Sequence, residues 1–176
     1  MNTKKMLITY FSRKGENYAV GHIEKGNTQI IAEMIASETG GGLFHIEPVK
    51  PYPQNYDQCT SVARKELMEK ARPEIQNYIQ TEDYDIIFIG FPNWWGDMPM
   101  PVYTFIERHD WTGKTVIPFC THEGSGLSDI EEKLKKACKG ATVVKGLAVH
   151  GITAQHQQEQ ARQNVKNWLN QIDSSR

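Results

Sequence analysis

Strand-like and helix-like segments alternate five times along this chain. The apolar or alternating runs of strand length are Met6–Phe11, Leu43–Val49, Tyr84–Phe91, Thr115–Cys120 and Ala141–Val149. The helical segments between and after them are Thr28–Glu38, Asp57–Ala71, one that begins at Pro101, one that begins at Ser128, and one that carries Ala161, Val165, Trp168, Leu169 and Ile172. This alternation predicts a parallel sheet with helices on both faces, joined by right-handed crossovers.

The strand order follows from how apolar each run is. Tyr84–Phe91 is continuously apolar, as expected for a central strand, whereas Leu43–Val49 alternates like an edge strand. We therefore predict an α/β fold, a doubly wound sheet of five parallel strands in the order 2-1-3-4-5. A ligand would bind beyond the carboxyl ends of the strands, between strands one and three.

Composition narrows the class of protein. The 176 residues suit a single domain spanning residues 1–176, and 20 basic residues against 21 acidic ones argue against nucleic acid as a partner. No apolar run reaches membrane length, so no membrane partner is predicted. The three cysteines are far apart, which favours reduced thiols and a cytoplasmic protein without a metal site.

The first strand leads through small polar residues into a helix N-terminus. Ser12 and Arg13 end the strand, and Gly26-Asn27-Thr28 begins the helix. Unpaired N–H groups and the helix dipole make such a turn suitable for a phosphate. Neither a P-loop nor a dinucleotide fingerprint is present. The alternative is an ordinary helix capped by Asn27 or Thr28.

Two further loops at the same edge of the predicted sheet have unusual compositions. The loop after strand three comprises Pro92, Asn93, Trp94, Trp95 and Gly96, and the loop after strand four comprises Thr121, His122, Glu123, Gly124, Ser125 and Gly126. One tryptophan could stack on a flat aromatic ligand, or one could anchor the loop on the core while the other is exposed. The glycines would let backbone amides approach a planar ring, or would simply form a turn.

Other details are predicted from the same patterns. Ser128 and Glu131 have the spacing of a capping box at the start of helix four. In helix two, Val62, Leu67, Met68 and Ala71 are expected to face inward. His122 has no nucleophile or acid partner readable around it, so it is not assigned a catalytic role, and no catalytic residue is named.

Several short pieces together resemble the flavodoxin-like FMN proteins, in particular short flavodoxin-like oxidoreductases with a long first loop. The pieces are Y-F-S-R at Tyr10–Arg13, G-E-N-Y at Gly15–Tyr18, G-N-T at Gly26–Thr28, P-N-W-W-G at Pro92–Gly96 and P-F-C-T-H-E-G-S-G at Pro118–Gly126. The resemblance implies FMN as cofactor. Ser12, Arg13, Asn27 and Thr28 would match its phosphate loop, and the loops at 92–96 and 121–126 would flank the isoalloxazine.

The resemblance implies an oxidoreductase that passes electrons or hydride from a reduced donor, such as NAD(P)H, to an acceptor, such as a quinone. The alternative is an electron-carrier protein without its own substrate, whose redox partner would be another protein. A receiver-like or phosphate-binding domain of the same topology would need acidic residues where the first strand ends in Ser12 and Arg13.

The segment Lys14–Lys25 is unusually long for a connection within a compact domain, and such loops are usually functional or disordered. It contains Tyr18, Val20, His22 and Ile23, which are too apolar for a solvated linker. We predict that it forms a lid or wall over the ligand site. The alternatives are a small surface hairpin and a contact with a second subunit, which would make the protein a homodimer.

Overall fold

A computed structural model describes residues 3–174 of the chain. The first half contains β1 (Met6–Tyr10), β2 (Gly15–Asn17), β3 (Gly21–Ile23), α1 (Asn27–Thr39), β4 (Gly42–His45) and α2 (Tyr56–Glu69). The second half contains β5 (Ile86–Pro92), α3 (Met100–Glu107), β6 (Thr115–His122), α4 (Ile130–Ala137), β7 (Thr142–Val143), β8 (Leu147–His150), α5 (Gly151–His156) and α6 (Gln158–Ser174).

The main sheet confirms the predicted fold class and strand order. Its order is β4-β1-β5-β6, and both β7 and β8 pair with the outer edge of β6, all in parallel. The predicted fifth strand is divided into β7 and β8 opposite Pro118, whose carbonyl lies against Gly146. Because proline has no N–H to donate, the ladder is interrupted at that point.

The sheet separates two layers of apolar side chains. On one face Ile87, Ile89 and Phe91 of β5 pack with residues of α3 and α4. On the other face Ile86 and Phe88 pack with residues of α1 and α6. Burying each such side chain stabilises the fold by about 1.5–3 kcal/mol. The continuous apolar run in β5 is thus explained by burial on both faces.

The start of α4 and the inward face of α2 differ from expectation. Ser128 has a φ of +52° and donates its hydroxyl to the Ser125 carbonyl, so it does not cap α4, which begins at Ile130. Glu131 accepts instead from the N–H of Gly146. The capping-box prediction was therefore wrong.

The inward face of α2 that was predicted from its apolar residues is wrong. Met68 is 76% exposed and Val62 is also exposed, whereas the side chains buried from α2 are Cys59 and Ala63. Both of these residues are small and lie on the side of α2 that faces the 92–96 loop.

The long segment after β1 is a hairpin. Strands β2 and β3 pair in antiparallel fashion, with Gly15 opposite Ile23. Ile23 is buried, while Tyr18 near the tip is 60% exposed. The surface-hairpin alternative therefore describes its secondary structure, and a role as wall of a site depends on where Tyr18 lies. Within residues 3–174, no helix is long and apolar enough to cross a membrane.

Candidate functional site

The turn between β1 and α1 is closed by a side chain from the end of the strand. Ser12 Oγ accepts a hydrogen bond of 3.0 Å from the N–H of Gln29, in the first turn of α1. The N-cap position itself is Gly26, which has no side chain to do this, so neither Asn27 nor Thr28 is the cap. Across the described chain, the N–H groups of Asn27 and Thr28 have no acceptor. They remain available to an anion.

The side chains of Asn27 and Thr28 are engaged with other elements. Asn27 Oδ1 accepts from Gln155 Nε2 at 2.7 Å, which leaves its amide NH₂ group free to donate. Thr28 is buried, and its hydroxyl lies 2.8 Å from the hydroxyl of Thr121. Thr121 and His122 were predicted in the loop after this strand, but they form its last two residues, so this bond joins the start of α1 to the end of β6.

Arg13 supports the turn from outside. Its guanidinium donates to the carbonyl of Glu16 in the hairpin and to the carbonyls of Pro53 and Gln54, the latter two at 2.7 and 2.8 Å. The side chain thus fixes the hairpin to the segment before α2. A direct contact of Arg13 with a phosphate stays a prediction.

The two adjacent tryptophans lie on a tight turn. The backbones of Trp94 and Asp97 exchange two hydrogen bonds of 3.0 and 3.1 Å, and both residues between them have positive φ, 57° at Trp95 and 76° at Gly96. Trp94 packs edge-on against Phe11 with ring centroids 5.2 Å apart. Trp95 points the other way and is 54% exposed. One indole is therefore on the core and the other borders solvent.

Asn93 joins the tryptophan turn to the glycine loop. Its Oδ1 accepts from the N–H of Gly96 at 3.0 Å, and its Nδ2 donates to the Gly126 carbonyl at 2.7 Å and to Ser128 Oγ at 3.1 Å. Lys133 donates to the Gly96 carbonyl at 3.1 Å from the other side. The second and third loops are thus held at a fixed distance from each other.

The glycine loop presents two ionisable side chains. His122 Nδ1 accepts from the N–H of Gly124 at 2.9 Å, and the ring of His122 lies 4.3 Å from that of His150. Burial, with a smaller contribution from His150, lowers the pKa of His122. Burial raises the pKa of Glu123, and His150 acts against that rise. Both shifts disfavour charge at this end of the site.

The three loops line one continuous groove at the carboxyl edge of the sheet. It has a smaller lobe of about 290 Å³ and a larger lobe of about 440 Å³. The residues shared by both lobes are Asn17, Tyr56, Asn93, Trp94 and Ser125. The smaller lobe adds Tyr18, Asn27, Pro92, Thr121, His122 and Glu123, and the larger adds Arg13, Cys59, Thr60, Ala63, Trp95 and Gly96. Most of the predicted site residues are therefore together, whereas Ser12, Thr28, Gly124 and Gly126 do not line either lobe.

Sequence reasoning predicted that the segment 14–25, with Tyr18, forms a wall of the site, but it missed the part of that wall that α2 contributes. Tyr18 of the hairpin and Tyr56 of α2 approach with ring centroids 5.8 Å apart, and burial raises the pKa of Tyr56. The G-E-N-Y piece contained Asn17 and Tyr18, so this signal was present. The face of α2 could have been found from Cys59 and Ala63, which lie one helical turn apart.

Three half-buried histidines should make the fold sensitive to acid. Burial lowers the pKa of His45, His109 and His122 below the ordinary 6.5. The unfolded chain then binds more protons than the folded protein as the pH falls through about 6.5, so stability should decrease there. Urea unfolding at a series of pH values checks this. Replacing His109, whose Nε2 is buried without a partner, with phenylalanine should reduce the slope. An unchanged slope in that variant would remove His109 from the explanation.

Comparisons with known proteins agree with the fold. A family model for flavodoxin matches residues 5–172. No curated protein matches the chain.

Three solved structures give the same picture. A protein from Bacteroides eggerthii, provisionally described as a flavoprotein, is 30% identical with a TM-score of 0.73, covering 97% of this chain and 99% of its own. One from Bacteroides uniformis with the same description is 30% identical with a TM-score of 0.72, at 96% and 99% coverage. A flavoprotein from Lactobacillus acidophilus, in complex with FMN, is 24% identical with a TM-score of 0.65, at 89% and 99% coverage. At that identity the last likeness concerns the fold alone.

Proposed function

The chain belongs to the flavodoxin family, and from this premise we propose that it binds FMN and acts as an oxidoreductase. The observation that carries the proposal is the pair of unpaired N–H groups, on Asn27 and Thr28, at one end of a groove that is lined by aromatic rings. FMN has an anionic phosphate and a flat ring, so its phosphate would lie at this turn and its ring would lie against the aromatic side chains of the smaller lobe. The solved flavoprotein that contains FMN supports the same choice.

The phosphate end of the groove suits a tightly held anion. Gly26 is packed so closely against Ser12 Oγ and the Arg13 carbonyl that a Cβ would lie 2.1 and 2.8 Å from these atoms. The missing side chain lets the backbone turn reach the anion. The N–H groups of Asn27 and Thr28 and the amide of Asn27 would bind the phosphate, helped by the positive end of the 13-residue helix α1.

The ring end of the groove would be formed by the loops at 92–96 and 121–126. Trp94, which lines both lobes, would contact the ring, while Asn93 keeps the two loops at the required separation. Backbone groups of 121–126 would meet the polar edge of the ring. Tyr18 and Tyr56 would cover it from the opposite wall and reduce contact with water.

Bound FMN would supply the two-electron chemistry, and the protein would supply binding, orientation and electrostatics. His122 and Glu123 both line the smaller lobe, where burial lowers the pKa of His122 and raises the pKa of Glu123. We assign no protein side chain as acid or base.

We propose NAD(P)H as donor and a quinone as acceptor. A formal net charge of −1 gives little steering toward a charged protein partner, which favours small substrates. The second candidate function is an electron carrier, and the exposed Trp95 beside the groove favours it as a point of contact for a partner protein.

The first experiment is identification of the bound flavin. The purified protein should be yellow and should release FMN on denaturation, and the apoprotein should bind FMN more tightly than riboflavin. Release of FAD, or equal affinity for FMN and riboflavin, would contradict the phosphate assignment. The flavin-loaded protein should then oxidise NADH or NADPH with a quinone. Turnover with neither nucleotide, together with rapid reduction by a reductase protein, would support the carrier.

FMN binding should quench tryptophan fluorescence, chiefly that of Trp94. Trp94→Phe should remove most of the specific quench, because Trp94 lines both lobes whereas Trp95 lines only one. Trp95→Phe should remove a smaller part. Trp168→Phe serves as the control, because Trp168 is a residue of α6 that is buried in the core on the other face of the sheet. If FMN still quenches the fluorescence fully in both loop variants, this loop does not contact the flavin.

A further inference from the structure

One face of α2 lines the larger lobe of the groove. Tyr56, Cys59, Thr60 and Ala63 follow one another at helical spacing and all contact the lobe. Three of these four side chains are small, so the helix leaves space between itself and the tryptophan turn. The larger lobe extends along α2, away from the turn that would bind phosphate.

Trp95 forms the outer wall of this lobe in a fixed position. Its Nε1 donates to the Thr60 carbonyl at 3.1 Å, across the gap between the turn and α2. A bulky residue at φ 57° is unfavourable, and such backbone conformations persist where the surroundings enforce them, often at ligand sites. The exposed indole is therefore held in place by a hydrogen bond and a turn.

Arg64 lies over this indole and has no anionic partner. Its Cζ is 5.4 Å from the centre of the Trp95 ring, and none of the hydrogen bonds or ion pairs within the described chain involves Arg64. The residues three and four positions away in α2 are Thr60, Ser61, Leu67 and Met68, so the helix offers no carboxylate. The guanidinium is exposed beside a wall of the lobe and is free to pair with an anion.

The other cations at the lobe are already engaged. Arg13 donates to three backbone carbonyls, and Lys133 is bound to Asp97 at 3.3 Å and Asp129 at 3.1 Å. A negative charge that enters the larger lobe would therefore meet Arg64.

We propose that the larger lobe binds a planar aromatic acceptor that carries one negative charge, such as a quinone with a carboxylate or sulfonate group. Its ring would stack on Trp95 and its anion would pair with Arg64. The proposal rests on the proposed function, because the lobe shares five lining residues with the lobe next to the phosphate turn and would bring the acceptor to the flavin. In the full reaction NAD(P)H gives a hydride, water supplies a proton, and the quinone gains two electrons and two protons to become the hydroquinone.

The test compares two flat probes of equal size on the FMN-loaded protein. We expect 2-naphthoate to bind about tenfold more tightly than the neutral 2-naphthamide, measured by calorimetry at low salt. Arg64→Gln should reduce that preference to near unity without changing FMN affinity. Trp95→Ala should weaken both probes equally, since it removes the stacking wall. The matched control is Lys65→Gln, which removes the neighbouring positive charge on α2. Lys65 already pairs with Glu69 at 4.0 Å, so this variant should keep the preference for 2-naphthoate.

Kinetics with naphthoquinone sulfonate and an uncharged naphthoquinone give an independent reading. Arg64→Gln should raise KM for the sulfonate about tenfold and leave the neutral quinone unchanged. Equal preference for the two naphthalene probes in the parent protein, or a preference that Arg64→Gln retains, would overturn the proposal. If Arg64→Gln raised only the KM for NADPH, the proposal would also be overturned, because Arg64 would then bind the electron donor and not the acceptor. A protein that holds no FMN would refute the proposed function instead, and the two failures are thus distinct.

Discussion

Gly26→Ala should weaken FMN binding by about a hundredfold or more while leaving riboflavin affinity nearly unchanged. A methyl group at this position would lie 2.1 Å from Ser12 Oγ and 2.8 Å from the Arg13 carbonyl, and part of that clash is with backbone that cannot rotate away. Ser12 would leave the N–H of Gln29, and the turn that presents the N–H groups of Asn27 and Thr28 would open. Losing two hydrogen bonds to a charged group, at about 1.5–3 kcal/mol each, corresponds to this loss of affinity.

Gly42→Ala is the matched control. A Cβ at Gly42 would find its nearest neighbours at 3.9 Å, an ordinary contact, so this substitution should change neither flavin affinity. Parallel titrations of FMN and riboflavin into the three apoproteins measure the effect. A Gly26→Ala protein that loses both flavins to the same extent would indicate a collapsed site without a specific phosphate turn.

Gly90→Ala should be the most destabilising methyl addition in the sheet. Gly90 lies in β5 opposite Phe119 of β6, and a Cβ would fall 2.0–2.6 Å from atoms of that fully buried ring. The ring has no free volume to move into, so overpacking should lower the free energy of unfolding by about 3 kcal/mol. Urea denaturation measures the change.

The shorter side chain in Phe119→Leu should partly rescue Gly90→Ala. The double variant should then be more stable than the sum of the two single changes predicts, because the substitutions share one contact. Strict additivity would mean that the clash is relieved by movement of the backbone.

The fold could be predicted because its main signals are local. The run around Ile87 is apolar on both faces, and only a central parallel strand buries both faces. The division of the last strand could not be predicted from its own residues, because its cause is Pro118 in the neighbouring strand.

The site could be predicted in part for the same reason. The segments with Asn27 and Trp94 follow strands, and Thr121 lies at the end of one, so the strand order brings all three to one edge of the sheet. The cap from Ser12 depends on a contact across 17 positions of chain, which no periodicity reveals. The wall from α2 was missed because apolar residues such as Met68 suggested a different inward face, and a helix beside a groove presents small residues there.

The hairpin between β1 and α1 leaves and re-enters the fold at nearly the same point, since the Arg13 carbonyl packs directly against Gly26. The two ends of the hairpin are therefore held together by contacts outside the hairpin, whatever its length. Changes at its tip, around Tyr18 and Ala19, alter what a molecule meets on approaching the groove, without moving the atoms that form the turn below. The excursion is in this sense an exchangeable part, because its tip can change while the turn that it leaves and re-enters stays the same.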